Sequence, residues 1–417
     1  MRPERIPECI EVHTGTQGRG LFMLSDCING LDALMSEYEN GIKLIYMDPP
    51  YLSGDKYFMR VRVGAQDWDA NRSSLKVLAF DDHRDRASFL EMMRNVLTRC
   101  RRLLTDDGMI FVHVDYRLNP HIHLLMDKVF GEENFLNEII WVYQTGGRSI
   151  RHFSRKHDVI LFYRKTDRYD FNIDAVKTVP VTPRTNHMRR HVDPDGRVYR
   201  SIRTGGKVYT YYDDDPVAPT DVWNDLSHLQ QRDPERTGYD TQKPLQLLDR
   251  IVRCASRPGE WVLDPFAGSS TTLAAAQRLG RYFIGIDDQP LTLNIARRRL
   301  QGGAYEITQR DHVGAVPTLC DVDIRAGVGF YHIVLNAFEI PIDGLSEAQP
   351  LDHVDNWSVG YIRNGRYEVM SEFYRRHRMG ALSTELKAPV FAGQLAMCVS
   401  DVLGNSWYYK LDTDFVP

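Results

Sequence analysis

Asp48-Pro49-Pro50-Tyr51 places a carboxylate, a proline-stiffened turn and an aromatic ring within four consecutive residues. That set suits one demanding reaction, attack by an aromatic amino nitrogen whose lone pair is delocalised into its ring. The Asp48 carboxylate and the Pro49 carbonyl can accept the two N–H bonds and so raise the nucleophilicity of the nitrogen. Two prolines restrict the turn. The Tyr51 face can stack a base taken out of a duplex, and in-line placement of a methyl donor would supply most of the remaining acceleration. Taken alone, the string also fits a strand-ending turn capped by Asp.

A second constellation is Asp264-Pro265-Phe266-Ala267-Gly268-Ser269-Ser270, followed by an Ala-rich helical stretch. Small residues after a strand let backbone approach a ligand closely, and the following helix N-terminus favours a carboxylate. Asp287 ends the next apolar run and is placed to accept from ribose hydroxyls. A nucleotide dehydrogenase would share this outline. Metal chemistry finds no support, because the six cysteines and His113, His121, His123 and His157 lack ligand spacing.

These residues need a scaffold that brings strand ends together. Residues 43–51, 108–115, 156–165, 259–280 and 281–290 read as short apolar strands running into turns and helices. The alternation predicts an open α/β sheet with helices on both faces, whose ligands bind beyond the carboxyl ends of the strands. Both Asp48 and Asp264 fall at such ends. Two regions break the pattern. Residues 166–236 are polar with hairpin-like pieces and read as an insert, and residues 311–417 read as a small β-rich extension.

A net charge of −4 does not advertise a nucleic-acid binder, but charge is unevenly spread. Arg184, Arg189, Arg190, Arg203 and Lys207 lie in a basic stretch that also holds Arg197 and Arg200 and runs into the acidic residues 213–215. This suits a directed phosphate contact, and equally a solvated loop of mixed charge. The Gly-rich, basic segment 143–158, with Arg148 and Arg151, reads as a mobile DNA-contacting loop. Residues 52–80 are expected to order only on substrate. No apolar run reaches membrane-span length and no signal peptide is evident, so a cytoplasmic protein without a membrane partner is expected.

The pairing of DPPY with a downstream TQKP and LDPFAGSSTT resembles the β-class amino-DNA methyltransferases, in which the catalytic motif precedes the cofactor motif. Further matches are SDC (25–27), MDKVFGEENFLNEIIW (126–141) and KHDVILFYRK (156–165), spanning about residues 20–300. The resemblance implies a Rossmann-like fold with a mostly parallel twisted sheet and S-adenosylmethionine as cofactor. It also implies site-specific methylation of an amino group in double-stranded DNA. Adenine N6 is preferred over cytosine N4 because β-class cytosine enzymes more often carry Ser where Asp48 stands.

By the same resemblance, Asp48, Pro49, Pro50 and Tyr51 would be catalytic. Asp26 would accept from the cofactor's adenine amino group, with Cys27 beside it. Thr241, Gln242 and Lys243 would open a helix over the methionine part. Asp264, Phe266, Ala267, Gly268 and Ser269 would line the cofactor cleft, and Asp287 would hold the ribose. The expected organisation is a catalytic part (1–165), a target-recognition insert (166–240), a cofactor-binding part (241–310) and the extension (311–417). The extension loosely resembles the ends of type III modification subunits; the expected partners include a cognate restriction subunit and, since β-class enzymes often dimerise, a second copy of the chain (a homodimer). Ser270 departs from the usual Gly-x-Gly turn, and tolerance is expected there.

Overall fold

The computed structural model describes residues 1–7, 9–64, 74–83, 85–143, 149–179, 188–230, 232–309, 315–342, 348–375 and 382–413. Strands β1 (Glu4–Ile6), β2 (Ile10–His13) and β3 (Gln17–Leu24) lead into helix α1 (Cys27–Tyr38) and β4 (Ile42–Met47). A hairpin of β5 (Lys56–Arg62) and β6 (Ser74–Asp81) precedes α2 (Arg86–Leu103), β7 (Leu104–Val114) and α3 (Asn119–Phe130). Then come β8 (Phe135–Val142) and β9 (His157–Arg164).

The next strands are β10 (Arg189–Val192), β11 (Val198–Thr204), β12 (Lys207–Tyr212) and the short β13 (Val222–Trp223). Alternation resumes with α4 (Leu245–Ala255), β14 (Trp261–Asp264), α5 (Thr271–Arg278), β15 (Tyr282–Asp287), α6 (Pro290–Arg299) and β16 (Gly303–Gln309). The last strands are β17 (Leu319–Ala326), β18 (Phe330–Glu339), β19 (Val354–Arg363), β20 (Arg366–Tyr374), β21 (Glu385–Pro389), β22 (Gln394–Asp401) and β23 (Ser406–Lys410).

Six strands, in the order β16-β3-β15-β14-β4-β7, run parallel at the centre of the main sheet, and β9 continues it antiparallel to β7 and β8. Every residue of β4 is buried, as expected of a strand covered on both faces. One face carries α1, α2 and α3. In α2, Phe89, Met93, Val96, Leu97, Cys100 and Leu103 recur at helical spacing and are buried, and Asp85 caps its first turn through the Ser88 amide. On the other face, Leu247, Leu248 and Ile251 of α4 pack with Leu273 of α5 and Leu293 of α6. This is the expected Rossmann-like arrangement, with Asp48, Asp264 and Asp287 at neighbouring strand ends.

The extension is less of an appendage than its composition suggests. Strands β20, β19, β22 and β23 prolong the main sheet, joined to it because β2 pairs with β16 on one side and β20 on the other. Strand β1 pairs with β23 at the far edge, so the first residues belong structurally with the last. Apolar alternation alone does not reveal such pairing across about 400 residues of chain. Strands β17, β18 and β21 form a second sheet over the apolar side chains of β19 and β22. The seam is sealed by Arg297 of α6, which is buried against Glu11 of β2 and donates to Ser400 and Ser406.

The segment after Tyr51 forms a hairpin whose Met59, Val61 and Val77 pack on Leu291 and Ile295 of α6 and on Val402 of the extension. Among the described residues, no helix is long and apolar enough to cross a membrane.

Candidate active site

The ends of β4, β14 and β15 open onto one cleft of about 530 Å³. It is lined by Asp26, Cys27, Asp48, Pro49, Pro50, Tyr51, Thr241, Lys243, Asp264, Phe266, Ala267, Gly268, Ser269 and Asp287. Motif residues from separate stretches of sequence thus meet in one place. Gln242 is the exception. Its side chain is buried outside the cleft, accepting from Thr237 and donating to Glu235, and so secures the loop that leads into α4.

Asp48 is tethered through both carboxylate oxygens. One carboxylate oxygen accepts from the Tyr51 hydroxyl, and the other from the Lys243 ammonium at 2.5 Å. Lys243 also lies 3.2 Å from the Tyr51 hydroxyl and 5.3 Å from the centre of its ring. The family resemblance assigns Lys243 to the cofactor side; its side chain lines the cleft and also reaches the Asp48–Tyr51 turn. No local pattern signals a partner 195 residues away. Burial, with help from Asp48 and Asp158, pushes the Tyr51 hydroxyl well up, so it stays a donor. Leu52, next in sequence, takes a left-handed φ of 52°, a strain of about 1 kcal/mol that the surrounding packing must offset.

A polar chain lies beneath Tyr51. Tyr46 and His113 share a 2.9 Å hydrogen bond, His113 reaches Asp158 at 3.3 Å, and Tyr143 donates to Asp158 at 3.1 Å. The His113 and Tyr51 rings lie nearly parallel, 6.4 Å apart. Burial pushes the Asp158 carboxyl up, but His113, Lys243 and Tyr143 together hold it below its usual value. In the sequence His113 is only one of several scattered histidines.

The opposite wall is a strand-end turn built around Asp287. Its two carboxylate oxygens accept from the backbone amides of Gly268, at 2.8 Å, and Gln289, at 3.0 Å. Gly268 has a φ of 46°, and a Cβ there would come within 3.3 Å of the Tyr239 ring. Ser270, in the position usually held by glycine, has a φ of 57° and a buried hydroxyl with no partner among the described residues. Asp264 accepts from the Phe266 amide and the Thr272 hydroxyl. Burial pushes both Asp264 and Asp287 up to about 7. Arg299 of α6 donates to the Ser269 carbonyl and to Thr271, clamping the turn from behind.

Asp26 caps α1 by accepting from Asn29. Burial, then Asp26 and Asp288, raise the neighbouring Cys27 thiol to about 11, which makes it a wall and not a nucleophile. Tyr57, Asp82, Met92, Tyr239, Asp288 and Gln289 also line the cleft, and no sequence motif singles them out.

The expected DNA-contacting residues divide. Arg148 and Arg184 lie outside the described residues. Arg151 is exposed. Arg189, Arg190, Arg203 and Lys207 stand exposed on the antiparallel sheet β10-β11-β12, and Arg189 and Arg203 share a face by register. The rest of the basic stretch is neutralised internally. Arg197 pairs with Asp214 and Asp215, and Arg200 with Asp213, because the β11–β12 hairpin folds the acidic run back onto them.

Comparison with known proteins adds four findings. The N6/N4 family model, described as DNA methylase, matches residues 42–298. The type II methyltransferase M.EcaI of Enterobacter cloacae is 31% identical over 378 residues, covering 78% of this chain and 79% of its own. The DNA adenine methyltransferase YhdJ of Escherichia coli (strain K12) is 29% identical over 266 residues, covering 63% and 78%. Among solved structures, the cytosine-N4-specific PvuII DNA methyltransferase aligns over 69% of this chain and 87% of its own, with 14% identity and a TM-score of 0.45.

Proposed function

Since the chain belongs to the N6/N4 family of DNA methylases, we propose that it methylates adenine N6 at a specific site in duplex DNA, using a base flipped into the cleft. The observation that carries the reading is the Asp48–Tyr51–Lys243 cluster, recessed at the meeting point of catalytic and cofactor walls.

The cleft suits S-adenosylmethionine. Its volume falls in the range of small-molecule sites. Its donor set is anionic, with Asp26, Asp264, Asp287 and Asp288 facing what would be a cation, and Gly268 leaves backbone open where a side chain would meet Tyr239. When bound, this cofactor supplies an electrophilic methyl group on a sulfonium. Asp26 and Asp287 would hold its adenosine part, and the α5 N-terminus its carboxylate.

The chain's own residues do the rest. The Asp48 side chain is only 17% exposed, which favours a base extruded from the duplex over one stacked within it. Asp48 accepts from the target amino group, together with the Pro49 carbonyl, and directs the nitrogen lone pair toward the cofactor wall. Tyr51 offers the stacking face, itself backed by His113. The two hydrogen bonds from Tyr51 and Lys243 fix the carboxylate plane before substrate arrives, so little reorganisation is left for the reaction. Arg151, Arg189, Arg190, Arg203 and Lys207 would contact phosphates. Asp at position 48, and the likeness to a protein named for adenine, favour N6 over cytosine N4.

The test is modification-sensitive long-read sequencing of DNA from a methylation-free host expressing this chain. N6-methyladenine within a defined motif is expected. N4-methylcytosine would overturn the base assignment, and unmodified DNA would overturn the claim that the chain acts alone.

A further inference from the structure

Asp82 ends the hairpin that follows the catalytic turn. It is 1% exposed and lines the cleft beside Tyr57 and Met92. One oxygen, Oδ2, accepts from the Ser53 amide at 2.8 Å and the Ser53 hydroxyl at 3.0 Å. The backbone amide of Asp82 donates to the Asp55 carbonyl, so the residue is pinned at both ends. The other oxygen, Oδ1, is buried and has no partner among the described residues. A buried carboxylate oxygen without a donor is a standing cost to the fold, and such groups are normally satisfied.

We propose that Asp82 binds the occupant of the cleft directly, with Oδ1 accepting a hydrogen bond from an N–H group. This rests on the function proposed above, because both molecules that would share the cleft carry such a donor. The cofactor has amino groups, and the target base has its exocyclic amine. Asp82 can serve either because Ser53 holds Oδ2, leaving Oδ1 as the acceptor still to be satisfied on a residue that lines the cleft. Ser53 in turn accepts from the Tyr57 hydroxyl, so the acceptor is positioned before any ligand enters.

The experiment uses the full chain with Asp82→Asn and Ser53→Ala. Asparagine can keep its carbonyl oxygen on the Ser53 donors while replacing Oδ1 by an N–H₂ that repels an N–H donor. Ser53→Ala loosens the brace and leaves Oδ1 in place. Affinity for S-adenosylmethionine is measured by calorimetry without DNA, and kcat and KM with a duplex carrying the mapped site. If the cofactor supplies the donor, Asp82→Asn weakens its binding at least tenfold. If the base does, cofactor binding holds and kcat/KM for the duplex falls at least tenfold. In both cases Ser53→Ala, which keeps the backbone amide donor and removes only the hydroxyl, gives a smaller loss in the same assay as Asp82→Asn. Wild-type values for Asp82→Asn in both assays, or a loss from Ser53→Ala in an assay that Asp82→Asn leaves unchanged, would overturn the proposal. Asp48→Ala is assayed alongside: full methylation by that variant would sink the proposed function, while the calorimetric reading on Asp82 would still stand or fall by itself.

Discussion

Glu11 and Arg297, 286 residues apart, form a two-pronged ion pair at 2.6 and 2.9 Å, and each side chain is 2% exposed. Tyr408 donates to the same carboxylate, and His13 shares its other oxygen. Breaking one side of such a pair strands a buried charge. Glu11→Leu should therefore cost about 3–5 kcal/mol, and the double change Glu11→Leu/Arg297→Met much less. Urea unfolding of the two variants checks this, and equal losses would contradict it. Because the pair joins the sheet to the extension, one cooperative transition is expected from both.

Asp48→Ala should abolish methyl transfer and leave S-adenosylmethionine binding within a few-fold of wild type. Lys243→Met should lower kcat by roughly 10², the loss typical of removing a preorganised hydrogen-bonding group, with little change in cofactor affinity. Rapid-quench turnover with calorimetry separates these. A cofactor affinity that collapses while kcat holds would return Lys243 to the cofactor side.

Stability should fall from pH 6 to pH 8. Burial raises Asp264, Asp287 and Asp401 to about 7, whereas an unfolded aspartate releases its proton near pH 4, at about 3.9. The folded chain binds more protons between those values, so stability declines as pH rises and levels off above 7. His13 acts in the same direction, since Glu11 and Glu372 more than reverse the effect of its burial and raise it. A sulfonium cofactor should therefore raise the melting temperature more at pH 8 than at pH 6. Melting curves at both pH values decide, and a ligand-free midpoint that climbs toward pH 8 would contradict the assignment.

Ser270→Gly should stabilise the chain by about 1 kcal/mol, because it relieves a left-handed φ and removes an unpaired buried hydroxyl. Chemical denaturation measures it, and a loss of stability would mean that the hydroxyl is satisfied in solution.

Replacing Arg189 and Arg190 by Gln should weaken DNA binding and reduce the slope of log K against log salt by about 1 for each phosphate no longer neutralised. Replacing Arg197 should leave that slope unchanged, because its guanidinium is already held by Asp214 and Asp215. Fluorescence anisotropy across salt concentrations compares them.

What can be read from sequence is local. Apolar strands ending in Asp48, Asp264 and Asp287 declare themselves through short apolar runs, and open α/β sheets place such ends together. What cannot be read depends on chain crossings. Lys243 meets Asp48, β1 meets β23, and Asp82 returns to Ser53 after a hairpin whose pairing no periodicity announces. The basic stretch misleads in part for the same reason, since its acidic neighbours fold back upon it.

The pairing of Glu4 with Lys410 across the outer edge of the sheet sets a timetable for synthesis. At about 5–20 residues per second, a ribosome delivers β23 roughly 20–80 seconds after β1. Until then β1 has no neighbour; for most of that time β2 also lacks β20 and the Glu11 carboxylate lacks Arg297. The nascent catalytic half thus carries open strand edges and an unmatched charge, which α6, β20 and β23 close in turn.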